Sequence, residues 1–182
     1  LDGRLTHAVS GFDPLVGATT VWTGHTVLGG AGAKIRWYEI NPTPLGSASL
    51  AQSGQVVAPN VFAFNIGMSN DRACTATQCA HGSAMVLGFT ASSSTIRPAI
   101  GMVSKIGAAA MSGAVLVRQS TTSDNGFSCN PVCRWGDYGG ATPDPAAPLA
   151  GATGKVWLSQ QYTTGGGFAT SGDQTQNWEA TP

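Results

Sequence analysis

Apolar and polar positions alternate over short stretches of this chain, and Gly, Asn, Asp or Pro interrupts each stretch within about ten residues. In KIRWYEIN, Ile35 and Trp37 fall on one side and Arg36 and Tyr38 on the other, the period of two of a half-buried strand. β-branched and aromatic residues dominate such runs, as strands prefer. The pattern predicts strands over 4–11, 19–27, 34–41 and 48–56, then over 62–69, 84–91, 97–105 and 114–120. A last group covers 134–139, 155–163, a weak strand near Phe168, and 176–180. No stretch holds a sustained helical period; GAAAMSGA, 107–114, is short and flanked by Gly.

The groups repeat. RLTHAVSGFDPLVGATTVWTGHTV, from Arg4, and RWGDYGGATPDPAAPLAGATGKVWLSQQYT, from Arg134, share an order of features. Each has Arg with a polar residue three places on (His7, Asp137), then Asp-Pro (Asp13-Pro14, Asp144-Pro145), Gly-Ala-Thr, and Val-Trp opening a strand (Trp22, Trp157). The two Trp residues lie 135 positions apart, room for one unit between them, in which Val86 takes the Trp place. The period is about 65 residues, that of a repeat architecture. Four-stranded units repeated radially are β-propeller blades, and closed propellers need about four to eight. The expected fold is therefore all-β: about three four-stranded β-propeller blades, 1–58, 59–121 and 122–182, in one open, partial propeller. A two-sheet sandwich is the alternative. The equivalence of Trp22 and Trp157 argues that both indoles pack between blades.

Charge narrows the function classes. Only 10% of the 182 residues are charged, with nine basic against nine acidic, so no basic stripe supports nucleic-acid binding. No apolar run approaches the roughly 18 residues of a membrane helix. The chain opens Leu-Asp-Gly without an initiator Met, from which a longer natural product is expected. The four cysteines form two close pairs, Cys74 with Cys79 and Cys129 with Cys133. Local disulfides suit that spacing and imply an oxidising, secreted location. A zinc site drawing on all four thiolates is the rival, although the pairs lack the usual two-residue gap.

The order LDGRLTHAV, VWTGHTV, IRWYEINP, LAQSGQV, FSC…CRWGDYGGATPDP and KVWLSQQY resembles the C-terminal part of a family of secreted bacterial propeller proteins, often labelled sialidase-like. The resemblance covers nearly the whole chain, and CRWGDYGGATPDP and RWYEINP are its most specific elements. It implies a propeller longer than this chain and export from the cell. It implies no particular reaction.

The first strand of each blade lines a propeller channel, which singles out Arg4 and His7 in the first unit and Arg134, Asp137 and Tyr138 in the third. Arg, His and Asp at a channel mouth suit an acidic or hydroxylated ligand; a structural Arg–Asp pair is the plainer reading. A sialidase would need several arginines and a Tyr–Glu dyad. Tyr38 and Glu39 are adjacent, so a strand points them to opposite faces. Asp144 precedes Pro145 and reads as a turn. Thr122–Cys129 and Ser171–Trp178 each approach an Asp-box turn, a folding device. The expected function is ligand binding at the channel mouth, with a glycan or an extracellular protein as partner. The remaining blades would come from a longer chain or a neighbouring subunit. A sialidase-like hydrolase completed upstream, and an assembly subunit pairing through open sheet edges, are the alternatives. No cofactor or catalytic metal is implied; a structural calcium would be compatible with the blades.

Overall fold

In the computed structural model, residues 3–71, 74–75, 78–79, 82–123, 135, 139–146, 154–164 and 173–180 are described. The first sheet is a meander of β1 (His7–Asp13), β2 (Ala18–Val27), β3 (Lys34–Asn41) and β4 (Ser49–Val56), each strand antiparallel to the next. β5 (Phe62–Asn70) opens the second unit, and a small hairpin, β6 (Cys74–Thr75) with β7 (Gln78–Cys79), is inserted after it. β8 (Ala84–Ser92), β9 (Ala99–Ile106) and β10 (Val115–Gln119) complete the second sheet in the order β10-β9-β8-β5. The third sheet joins β11 (Gly140–Pro143), β12 (Val156–Thr163) and β13 (Asp173–Ala180). Every element is a strand, and no helix among the described residues is long and apolar enough to cross a membrane.

The three sheets stack face to face, with the second in the middle. The run AMVLGFTA of β8 is buried throughout, and a strand covered on both faces reads as near-continuous apolar sequence. Alternation divides its side chains between two cores. Met85, Leu87, Phe89 and Ala91 pack with Trp22, Ile35, Trp37 and Val56 of the first sheet. Val86 packs with Ala141, Val156, Leu158 and Ala180 of the third. In the first core Trp22 and Trp37 stack with ring centroids 5.9 Å apart. The Trp37 indole lies over Gly54, where an added Cβ would come within 2.8 Å of the ring.

The first strands of the three units run side by side. Gly67 of β5 passes so close to Gly140 of β11 that a Cβ would meet its backbone at 2.8 Å. Gly11 of β1 faces the Asn70 side chain in the same way. Asp71, buried just past β5, accepts from the Ala84 amide at 3.2 Å and from the Gly154 amide at 2.9 Å, tying the second unit to the third.

Two expectations need correction. Arg4 does not lie on a strand: β1 begins at His7, whose register partner is Gly24. The preceding segment is held instead by a 2.6 Å contact between His25 Nδ1 and the Gly3 carbonyl, a side-chain bond in place of a ladder. The first described strand of the third unit is Gly140–Pro143, paired with Val156–Ser159; most of the expected strand 134–139 lies outside the described residues. Trp22 and Trp157 also differ in setting: Trp22 is fully buried, whereas Trp157 is 39% exposed. Their positions within the sheet still correspond. Trp22 pairs in register with Glu39, and Trp157 with Glu179. Trp22 faces the second sheet; Trp157 lies on the face of the third sheet turned away from it, because its neighbour Leu158 points inward. The second sheet covers the first indole and no described residue covers the other.

Replacing Trp22 with Ala should cost about 3–5 kcal/mol, the range for an aromatic removed from a packed core. Trp157→Ala should cost a small fraction of that. Urea midpoints of the two variants at constant m-value check the difference.

Candidate functional site

Of the five residues expected to bind a ligand, His7 is the one that the described structure places in a cavity. The pocket, about 440 Å³, opens between β1 and the third sheet and is lined by His7, Gly140, Ala141, Thr142, Trp157, Leu158 and Ser159. That volume lies within the range of small-molecule sites. His7 comes from the start of β1, while Thr142 and Trp157 are register partners on β11 and β12. Gly140 and Ser159, paired two steps along the same ladder, extend that face. Arg4 is exposed and precedes β1. Arg134, Asp137 and Tyr138 lie outside the described residues, as do Cys129 and Cys133.

Burial dominates the electrostatics of His7 and lowers its pKa below the ordinary 6.5; hydrogen bonding with the backbone at Met68 and Ala141 opposes this. Its Nε2 is buried and has no hydrogen-bond partner in the protein. A neutral imidazole donates from one ring nitrogen and accepts at the other; Nε2 itself is sealed from solvent, so the ring meets the cavity through its other atoms. Thr142 and Ser159 add hydroxyls, and Trp157 adds an open ring face. The site therefore combines one large aromatic surface with a few polar groups at its edge.

A second constellation gathers at one end of the first sheet. Ile35, Trp37 and Glu39 share the inward face of β3, so Glu39 enters the core with the two apolar residues and is fully buried. Thr20 Oγ1 donates to it at 2.7 Å and Gln52 Nε2 at 2.6 Å. The fully buried Asp13 carboxyl hydrogen-bonds with it. Burial first, and then Asp13, push the Glu39 carboxyl up from 4.5 to about 7, against the pull of Gln52 and Thr20. Lys105 approaches from β9, nearly buried, and donates from Nζ to the carbonyls of Gly107 and Ala109. The signal for this cluster was present in the sequence: Glu39 and Lys105 both fall in phase with buried neighbours on their strands.

The other candidates fall into structural roles. Tyr38 and Glu39 do face opposite sides of the first sheet: Tyr38 meets His25 at 3.1 Å on the outer face and Glu39 points into the core. Asp144 caps a turn, accepting from the Ala146 amide at 2.8 Å. Asp13 caps the equivalent turn at Leu15, 2.7 Å. Cys74 and Cys79 are register partners in the β6–β7 ladder. Among the described residues no group of three His, Cys, Asp or Glu side chains is placed to hold a metal ion.

An NMR pH titration of the His7 ring should give a midpoint below 6.5. With the folded value depressed, His7 contributes stability that is present above 6.5 and is lost as the pH falls through the folded midpoint. A midpoint at or above 6.5 would contradict burial as its dominant influence.

No protein-family model matches this chain, and no curated protein or solved structure matches it either.

Proposed function

We propose that this chain is a three-blade segment of an extracellular β-propeller that binds a carbohydrate in the cavity between His7 and Trp157. The observation that carries the reading is a 39% exposed Trp157 lining, with His7, Thr142 and Ser159, a pocket of about 440 Å³. A pyranose has one apolar face and a rim of hydroxyls. The indole takes the face by stacking, and the Thr142 and Ser159 hydroxyls bond the rim. The propeller part is supported by three successive sheets stacked through both faces of the middle one, with β1, β5 and β11 side by side. The Trp–Glu pair at one register position in the first and third sheets supports it too. The extracellular part rests on the two close cysteine pairs of the sequence, of which Cys74 and Cys79 are register partners. Binding without turnover is favoured because the buried carboxyl pair belongs to the first core and does not line this cavity.

A second reading rests on that same Trp–Glu pair. In the first sheet a neighbouring sheet covers Trp22 and Glu39, so the Trp157 face would dock a further blade from a longer chain or another subunit. The two readings separate in one experiment. A glycan array followed by calorimetry on the 182-residue chain should find a glycan ligand. Trp157→Ala should weaken it by about tenfold or more, a loss of about 1.4 kcal/mol. A chain that binds no glycan, or that binds equally without the indole, removes the carbohydrate reading and leaves the docking one.

A further inference from the structure

We propose that Asp13, Glu39 and Lys105 form a proton-operated latch: while Glu39 is protonated against Asp13, Lys105 holds the loop 107–111 down over the first sheet, and when Glu39 ionises Lys105 releases that loop. The inference is independent of the carbohydrate site. His7 and Asp13 stand at opposite ends of β1.

The geometry begins with the loop. After β9 the chain turns at Gly107, whose φ of 52° is left-handed, and crosses toward β3 and β4. Its base is fixed by a reciprocal pair: the Ser112 amide donates to the Ser104 carbonyl at 2.8 Å, and the Ser104 amide donates to Ser112 Oγ at 2.9 Å. The Gly107 amide is tied to the Ser83 carbonyl at 3.1 Å. Beyond these anchors the Ala109 amide donates to the Ile106 carbonyl at 3.0 Å within the turn, and two side chains hold the tip. Lys105 Nζ donates to the carbonyls of Gly107 and Ala109, and Trp37 Nε1 donates to the Met111 sulfur at 3.0 Å. Ala108, Ala109 and Ala110 are exposed. Beneath the loop is a cavity of about 400 Å³, whose lining includes Trp37, Gln52, Lys105 and Met111.

The charged cluster lies directly behind that cavity. Gln52 and Lys105 line it, and Gln52 is also bonded to Glu39. Among the described residues, Asp13 from β1 and Lys105 from β9 are the charged groups that act on Glu39; β2 and β4 contribute the neutral Thr20 and Gln52. Asp13 Oδ2 is buried and receives no hydrogen bond from any donor that is always protonated. A proton on one of the two carboxyls supplies what it lacks. In that state the cluster holds one carboxylate and one ammonium and is neutral overall. Lys105 is then free to spend its donors on the loop carbonyls.

Loss of the shared proton to solvent leaves two carboxylates and one ammonium out of water. Burial of unbalanced charge is costly, and the only cation at hand is the one clipping the loop. The attraction of Glu39 and Asp13 for Lys105, already present, strengthens and competes with the carbonyls of Gly107 and Ala109. The switch point follows from the Glu39 carboxyl, held near 7 by burial and Asp13. The sign is set by linkage: the folded chain keeps a proton between 4.5 and about 7 that the unfolded chain has lost. The contribution of this group to stability is therefore complete below 4.5 and is lost as pH rises through about 7.

Amide hydrogen exchange on the 182-residue chain, expressed as protection factors corrected for intrinsic rate, tests the latch between about pH 5.5 and 8.5, either side of the switch point. The Ala109 and Ser112 amides should lose about tenfold or more protection at the higher pH, while those of β8 change less. In Glu39→Gln, which cannot ionise, the step should vanish. Should that variant not fold, Lys105→Gln carries the test: the loop amides should then be weakly protected at both pH values. Equal protection of the wild-type loop at both pH values overturns the latch. So does a step that survives in Glu39→Gln, or a fall in β8 that parallels the loop.

Discussion

The structure depends on the burial of one sheet on both faces. β8 sends Met85, Leu87, Phe89 and Ala91 to the first sheet and Val86 to the third. At roughly 25 cal/mol per Å² of apolar surface removed from water, both cores draw on the same strand. Neither outer sheet has a comparable apolar partner elsewhere among the described residues. The outer faces bear this out: Phe12 and Leu50 on one and Trp157 on the other remain exposed.

The first core is not uniformly apolar. Trp22, Trp37, Ile35 and Leu87 fill most of it, and then at one end the same strand phases deliver Asp13, Thr20, Glu39 and Lys105. Burying such groups is tolerable only when each is hydrogen-bonded and charges are balanced. Thr20 and Gln52 satisfy Glu39, the loop carbonyls satisfy Lys105, and a proton between the carboxyls balances the sum. The polar end of the interface is thus the part whose energy depends on solution conditions, whereas the apolar part is indifferent to them.

The cavity at His7 arises from the same stacking. Three first strands lie side by side, with small residues at Gly67, Gly139 and Gly140 letting the backbones approach. That places a side chain from β1 against β11 and β12, which are far away in sequence. A His ring desolvated there stays neutral more readily than in water. Beside it the open Trp157 ring gives the pocket an apolar wall, and Thr142 and Ser159 add hydroxyls, the combination that a sugar ring uses.

The sequence by itself determined the strands and their grouping, because alternation and turn residues are local signals. The reading of 34–41 for β3 coincides with the observed strand, and β2, β4, β8 and β9 shift by two residues or fewer at their ends. It also contained the phase that carries Glu39 inward with Ile35 and Trp37. Only the tertiary structure decided which faces are covered. Trp22 and Trp157 sit at matching register positions, yet one is sealed and one is open, because burial depends on whether another sheet lies across that face. The same holds for Asp13, Glu39 and Lys105, brought together from three strands over most of the chain's first two units. A local pattern fixes the side of a strand on which a residue lies; what it meets there is set by packing between segments distant in sequence.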